Sequence, residues 1–507
     1  MTLAREAGCR DRRRPVAAGR QAFRREAGEA GGGSYDGGSK VNLRRRFSGT
    51  GKGVVLGASL LALGIPIASG APPPEPTPPA PSVLEVAEDR VVSTGGPDAP
   101  LVEPHLSIDP RNADHWLAGA IVISKPDLSA MDCAALATFD GGKTWRRRDL
   151  GWSDCADPWT AVLADGTGVL AVLADDKLLV YRSPDGGRTW PFPPVSLGGG
   201  HDHETLVLDR TDGEPAGSLY VLSVQSTTEK TTGKRRDAVF VARSDDGGRS
   251  FREPTRVVPS NLSFNTMTGA VLSDGTLAVS FSDYERRGPS GPVWLASGRS
   301  WLLISADGGA TFSAPLWISG ACGRSFPSLV ADESRGPGRD RLYWVCNGRA
   351  DGLTPNPDYE RILVQFSADR GESWSEPLSI NVGSGRRPYV RTAAMAVDRD
   401  GIVGVSWYDG RNEREKIKSI FQCTDLFFAA SRDGGKTFLP EVRVSTQAGC
   451  ADSPGNGKAR YRWPAGGDYS GLAARPDGGF QLLWADSRDG MYRLRTSTVR
   501  VVGAEGR

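Results

Sequence analysis

The stretch Ser183-Pro-Asp-Gly-Gly-Arg-Thr-Trp190 decides the fold, because close copies of it return along the chain at nearly constant spacing. The others are TFDGGKTW (Thr138 to Trp145), SDDGGRSF (Ser244 to Phe251), SADGGATF (Ser305 to Phe312), SADRGESW (Ser367 to Trp374) and SRDGGKTF (Ser431 to Phe438). Each reads Ser/Thr-x-Asp-x-Gly-x-Ser/Thr-Trp/Phe. The chemistry is that of a tight turn between antiparallel strands. Gly supplies positive φ, the Asp and Ser side chains bond nearby backbone, and the aromatic plugs a hydrophobic layer.

The central aspartates, at 140, 185, 246, 307, 369 and 433, are separated by steps of 45, 61, 61, 62 and 64 residues. Each step has room for one four-stranded sheet, and short alternating runs such as Leu178-Leu-Val-Tyr and Ile362-Leu-Val-Gln-Phe supply its strands. Few stretches carry apolar residues at helical spacing, and 64 Gly with 35 Pro point to many turns. The chain reads as all-β, a β-propeller built from repeated four-stranded antiparallel blades.

The repeated octapeptide resembles the Asp-box, or BNR repeat, of the sialidase (neuraminidase) superfamily, and the likeness covers roughly residues 83 to 500. In that family the box is a folding device, so the resemblance implies fold before chemistry. After the sixth box, three strands follow, at Ser470 to Ala474, Phe480 to Trp484 and Tyr492 to Ser497, and the fourth is missing. Val83-Leu-Glu-Val86 or Val91-Val92 would complete that sheet and close a ring of seven blades. A six-bladed ring with an appended sheet, closer to the resemblance, is the alternative.

The formal charge of +2 hides an asymmetry: residues 1–70 hold 13 Lys+Arg and 5 Asp+Glu, leaving 49 basic against 55 acidic residues in the rest. A weakly acidic body gives no footprint for phosphate backbones, so nucleic acid is not the expected partner. Residues 1–40 are Arg- and Gly-rich and patternless, and read as disordered or untranslated. Arg44-Arg-Arg46, the apolar run from Val54 to Ile67 and the small residues Ala68 to Ala71 match a signal peptide over 41–70. A Pro-rich linker follows over 71–82, and the sialidase-like domain over 83–500. The reading is a secreted or periplasmic monomer with no stable membrane span after cleavage.

Apart from Cys9 there are six cysteines, and the blade register puts all of them on one face. Cys133, Cys346 and Cys423 fall at the ends of second strands or in the loops after them. Cys155, Cys322 and Cys450 fall in connections between blades. The expected pairs are Cys133–Cys155, Cys322–Cys346 and Cys423–Cys450, each local to one blade and suited to an oxidising compartment.

Long insertions collect on the same face, the expected binding face. There strand ends repeat an aromatic followed by acidic-x-Arg, clearest in Trp407-Tyr-Asp409-Gly-Arg411 and Trp484-Ala-Asp486-Ser-Arg488. This reads first as an inter-blade salt bridge and cap, and second as contact with substrate. Inter-blade connections bring His201-Asp-His203-Glu204, Arg324, Arg387, Arg391 and Tyr461-Arg462 to Asp468-Tyr469 toward the axis.

Arginines beside carboxylates and tyrosines suit an anionic sugar. The resemblance implies three Arg for the substrate carboxylate, a Tyr nucleophile with a Glu partner, and an Asp acid/base. The family's Phe/Tyr-Arg-Ile-Pro motif before the first box is replaced here by Glu103-Pro-His105-Leu, without Arg. The candidate catalytic residues are Asp409, Asp468, Tyr469, Asp486 and Glu204, and the candidate substrate-binding residues are Arg324, Arg387, Arg391, Arg411, Arg462 and Arg488. No cofactor is expected, and the His201/His203 pair lacks a third ligand at metal spacing. The sequence therefore points to a sialidase-like glycoside hydrolase acting on a terminal acidic sugar of a glycan, or to a non-catalytic propeller that binds glycans or proteins.

Overall fold

The computed structural model describes residues 83–92, 98–191, 193–211, 217–228, 235–258, 263–284, 298–322, 326–348, 361–384, 390–412 and 423–503. The expected leader, signal peptide and linker lie outside them. The strands form four-stranded antiparallel units that follow one another in the chain. The first unit is Leu101–Asp109, Asn112–Val122, Asp132–Thr138 and Arg146–Asp149. The second, third and sixth units begin with inner strands Ala156–Val162, His201–Leu208 and Val390–Val397 and repeat the plan. The fourth and fifth begin with Ser263–Val271 and Ser328–Ala331 and merge into one eight-stranded sheet, because Cys322 pairs with Gly348 across their boundary.

The seventh unit has inner strand Gly471–Ala474, then Phe480–Asp486 and Arg493–Val502. Its fourth strand comes from the other end of the chain: Val83–Val86 pairs antiparallel with the last strand, in a register running from Val83↔Val502 to Val86↔Val499. Each inner strand packs against the next, and Gly471–Ala474 packs against Leu101–Asp109, so the ring is closed. Sheets stacked face to face bury both sides of their middle strands. This is why Gly168–Ala174 (GVLAVLA) and Leu342–Gly348 (LYWVCNG) read as apolar runs without strict alternation.

The repeated octapeptides are turns with one hydrogen-bond plan. In the second copy the Ser183 hydroxyl donates to Asp185 Oδ1 (2.7 Å) and accepts from Gly187 N–H (2.6 Å). The Thr189 N–H and hydroxyl donate to Asp185 Oδ1 (2.8 Å) and Oδ2 (2.7 Å). The same four bonds recur in the other copies. The hydroxyl and N–H of Thr144 hold the Asp140 carboxyl down at about 2, and Thr311 does the same for Asp307. Their contribution to stability is complete above the ordinary aspartate range and is lost as pH falls toward 2.

The glycines of these turns space the units. A Cβ on Gly187 would sit 2.8 Å from Ala137 Cβ and 3.1 Å from Leu117 Cδ1, both in the preceding unit. In the fifth copy Arg370 takes the left-handed conformation (φ 61°), and its guanidinium pairs with Asp274 of the preceding unit at 2.5 Å.

All three expected disulfides form, with Cα separations of 5.5, 5.6 and 4.0 Å for Cys133–Cys155, Cys322–Cys346 and Cys423–Cys450. Two details differ from expectation. Cys133 and Cys423 lie at the starts of third strands rather than at the ends of second strands or in the loops after them. Cys322–Cys346 is not local to one unit: it ties the outer strand of the fourth to the second strand of the fifth, because Leu316–Cys322 runs on to meet its neighbour.

Behind the closing strand, buried Asp89 gathers two arginines of the seventh unit and a threonine that follows the sixth. It accepts from Thr446 N–H (2.6 Å), Arg488 Nη1 (3.0 Å) and Arg495 Nη1 (2.8 Å). Asp89→Ala removes one of the two carboxylates that each arginine holds, leaving Arg488 with Asp486 and Arg495 with Asp489, and is expected to lower unfolding stability by about 2 kcal/mol. A loss below about 1 kcal/mol in denaturant titration would show that this clasp does not secure the ring. Gly187→Ala is expected to cost about 2 kcal/mol, from a positive φ plus a collision. Gly151→Ala, also at positive φ (87°) but with nothing within 4 Å of an added Cβ, is expected to cost roughly half that. Equal costs in the same titration would remove the spacing role.

Candidate functional site

Inner strands enter the ring through a repeated irregularity. Register shifts fall between Val102 and His105, Ala156 and Trp159, Asp202 and Thr205, and Arg391 and Ala394. Inside each shift one non-glycine residue has positive φ: Glu103 (52°), Asp157 (51°), His203 (50°) and Thr392 (55°). Glu103 and Asp157 precede Pro104 and Pro158, which favour an extended residue before them, so both are held under strain. A bulge breaks the two-residue alternation of a strand and re-aims side chains. Here it brings Glu103 and Asp157 into one cluster with Asp202, Asp468 and Arg462.

The cluster is short of positive charge. Arg462 Nη1 donates to Asp468 Oδ2 at 2.8 Å, and the Asp468 N–H donates to Glu103 Oε1 at 3.0 Å. Burial, then the neighbouring Asp202 and Asp468 carboxylates, push Asp157 up to about 7 against the pull of Arg462. Burial and then Asp468 and Asp157 push Glu103 well above the usual range. Glu204, fully enclosed, is driven up by burial and then by Asp157, and neither of its oxygens has a hydrogen-bond partner among the described residues. Burial followed by Asp157 and Glu103 also raises the Tyr469 hydroxyl, which is likewise unpartnered.

An aromatic layer adjoins these carboxyls. Trp159 stacks on His105 (3.9 Å between centroids) and leans on Tyr469 (5.3 Å), while His203 meets Phe326 (4.7 Å) and Tyr469 (5.7 Å). Burial lowers His105 to about 3 and His203 to about 4, so both imidazoles are neutral at neutral pH. The arrangement can keep one carboxyl protonated beside ionised ones at neutral pH, the requirement for paired acid and base work.

Of the candidates named from sequence, Glu204, Asp468, Tyr469 and Arg462 come together here. Arg391 enters the sixth inner strand, with Nη1 3.3 Å from Val390 O. Arg324 and Arg387 lie outside the described residues. Asp409 is fully buried, bound to Arg411 (2.7 Å) and to the Trp407 indole (3.1 Å), and Arg411 also holds Glu441 (2.9 Å). Asp486 repeats the plan with Arg488 (2.6 Å) and the Trp484 indole (3.1 Å). In both motifs the Asp–Arg pair is closed within its own unit, an ion-paired cap rather than the inter-blade salt bridge of the first reading.

Glu103 and Asp157 were missed as functional residues. The signal that could have found them is acidic-Pro-x repeated at two strand entrances, Glu103-Pro-His105 and Asp157-Pro-Trp159. Among the described residues no group of three or more His, Cys, Asp or Glu is placed to hold a metal ion, and no helix is long and apolar enough to cross a membrane.

No protein-family model and no curated protein sequence matches the chain. Among solved structures it is similar to a protein of unknown function from Dyadobacter fermentans, at 14% identity over 83% of this chain and 99% of that one, with a TM-score of 0.48. It is similar to the Hadza microbial sialidase Hz136 at 16% identity, covering 76% of each chain, with a TM-score of 0.42. It is also similar to the Penicillium chrysogenum α-L-arabinanase complexed with arabinobiose, at 16% identity over 64% of this chain and 94% of that one, with a TM-score of 0.43. The structural neighbours thus include sialidases and an arabinanase, and the roles of individual residues rest on this chain's own geometry.

Proposed function

We propose that the chain is an exported, sialidase-like glycoside hydrolase whose seven strand units are its blades. Its general acid is Asp157 and the partner carboxyl is Asp468. The observation that carries this reading is the Asp157 carboxyl at about 7, in a cluster where Arg462 is committed to Asp468. Protonated Asp157 delivers its proton to the glycosidic oxygen as that bond breaks. Asp468, kept in place by Arg462 and by its own N–H bond to Glu103, attacks the anomeric carbon or takes a proton from the water that does. The exposed guanidinium of Arg462 makes a terminal acidic sugar the first substrate class to test. Three disulfides accord with an oxidising, extracellular or periplasmic setting.

A second reading, a glycan-binding ring without turnover, is favoured by the enclosure of Tyr469 and Glu204, which have 7% and 0% of their surface exposed. Fluorogenic glycosides, a sialoside and neutral sugars side by side, separate the two. Turnover is expected with kcat/KM falling as pH rises through about 7, where Asp157 loses its proton. Asp157→Asn should lower kcat by about 10²-fold or more with an unchanged melting temperature. Wild-type activity retained by Asp157→Asn would remove Asp157 as the acid. Binding on a glycan array with no turnover on any glycoside would favour the second reading.

A further inference from the structure

The ring encloses a chamber of about 490 Å³ that the proposed chemistry does not use. The aromatic residues Trp159, His105, Phe326 and Tyr469 border one part of it, whereas Glu103, Asp157, Asp202, Asp468 and Arg462 do not line it. Its walls are small apolar residues of the inner strands, among them Ala161, Ala270, Ala331, Ala394 and Ala473. Elsewhere it is bordered by Arg210, Glu333 and Arg399, where Arg210 and Glu333 are 3.8 Å apart in the connections following the inner strands. Trp159, Ala394 and Ala473 belong to strands at the centre of the ring yet remain half-buried. The surface they keep therefore faces the chamber.

His105 gives the chamber a directed polar group. The Thr160 N–H donates to His105 Nδ1 at 3.1 Å, so Nδ1 carries no proton and Nε2 must. No bond to Nε2 is found among the described residues, and the ring, stacked on Trp159, lines the cavity. Among aromatic and aliphatic walls, the His105 Nε2–H and the Tyr469 hydroxyl, which has no partner among the described residues, are neutral groups that define a ligand type.

We propose that this axial chamber is a second binding site, taking a small uncharged molecule with an aromatic or apolar body and a single carbonyl-type acceptor that meets His105 Nε2–H. Burial keeps the His105 imidazole neutral, so His105 itself offers an anionic ligand no charge to pair with.

The probe is prodan, a neutral naphthalene bearing a ketone, titrated into the full chain and read by its emission. Saturable binding with a blue shift is expected. Ala394→Phe fills the chamber and should abolish the shift, while His105→Phe keeps the stack, loses the donor and should weaken binding by about five-fold. Ala473→Leu serves as a second filling variant if Ala394→Phe lowers the melting temperature, and it should act in the same sense. No saturable shift in the wild type overturns the proposal. So does binding that survives both filling variants but is lost in Trp317→Ala, because Trp317 is exposed on an outer strand.

Discussion

The ring depends on one constraint: a chain of repeated sheets must find a partner for its last exposed edge. Arg493–Val502 would otherwise present an unpaired row of N–H and C=O groups, a template for aggregation. Val83–Val86 takes that edge, and Asp89, three residues on, fixes the strand with two arginines from the seventh unit and a threonine that follows the sixth. The closing interaction is both backbone pairing and buried charge. It joins residues about four hundred positions apart, so the loop it closes is nearly the whole domain.

A closed ring makes the strain at its mouth tolerable. Glu103 and Asp157 sit in a left-handed conformation before proline, a state costing about 1–3 kcal/mol each. Each is bracketed by regular ladder pairs, Val102↔Ile121 and His105↔Gly119 in one unit, Ala156↔Leu173 and Trp159↔Ala171 in the next. The strand cannot relax without breaking pairs on both sides. Strain thus places carboxyls where pleat geometry alone would have put them between sheets.

The parts of this architecture legible in the sequence are those made by local interactions. The octapeptide turn is visible because its four bonds join residues within a few positions of one another, so each repeat carries its full set of partners. Disulfide pairing followed from the register those turns impose. Cys322–Cys346 forms as expected but spans two units, because a backbone pair between successive units lengthens a strand beyond its repeat. The acidic cluster was only half visible. Asp468 and Arg462 stand out as charged residues in one connection, but the conformations of Glu103 and Asp157 depend on ladder pairing that no short stretch encodes.

Two sets of buried aspartates share a residue type and differ in the supply of countercharge. Asp409 and Asp486 each have an arginine two residues along the chain, within 2.7 Å, and an indole N–H as well. With charge and hydrogen-bonding capacity met inside one turn, such a carboxylate has little left to offer a ligand. Asp157 has no arginine of its own. It shares Arg462 with Asp468 and Glu103, and desolvation with two like charges nearby outweighs that share. A carboxyl that the fold leaves uncompensated, held there by a backbone it would not choose, is the one whose proton can be moved at neutral pH. The recurrent, well-matched pairs are closed within their own units, and the mismatched cluster at the axis carries the chemistry proposed for this ring.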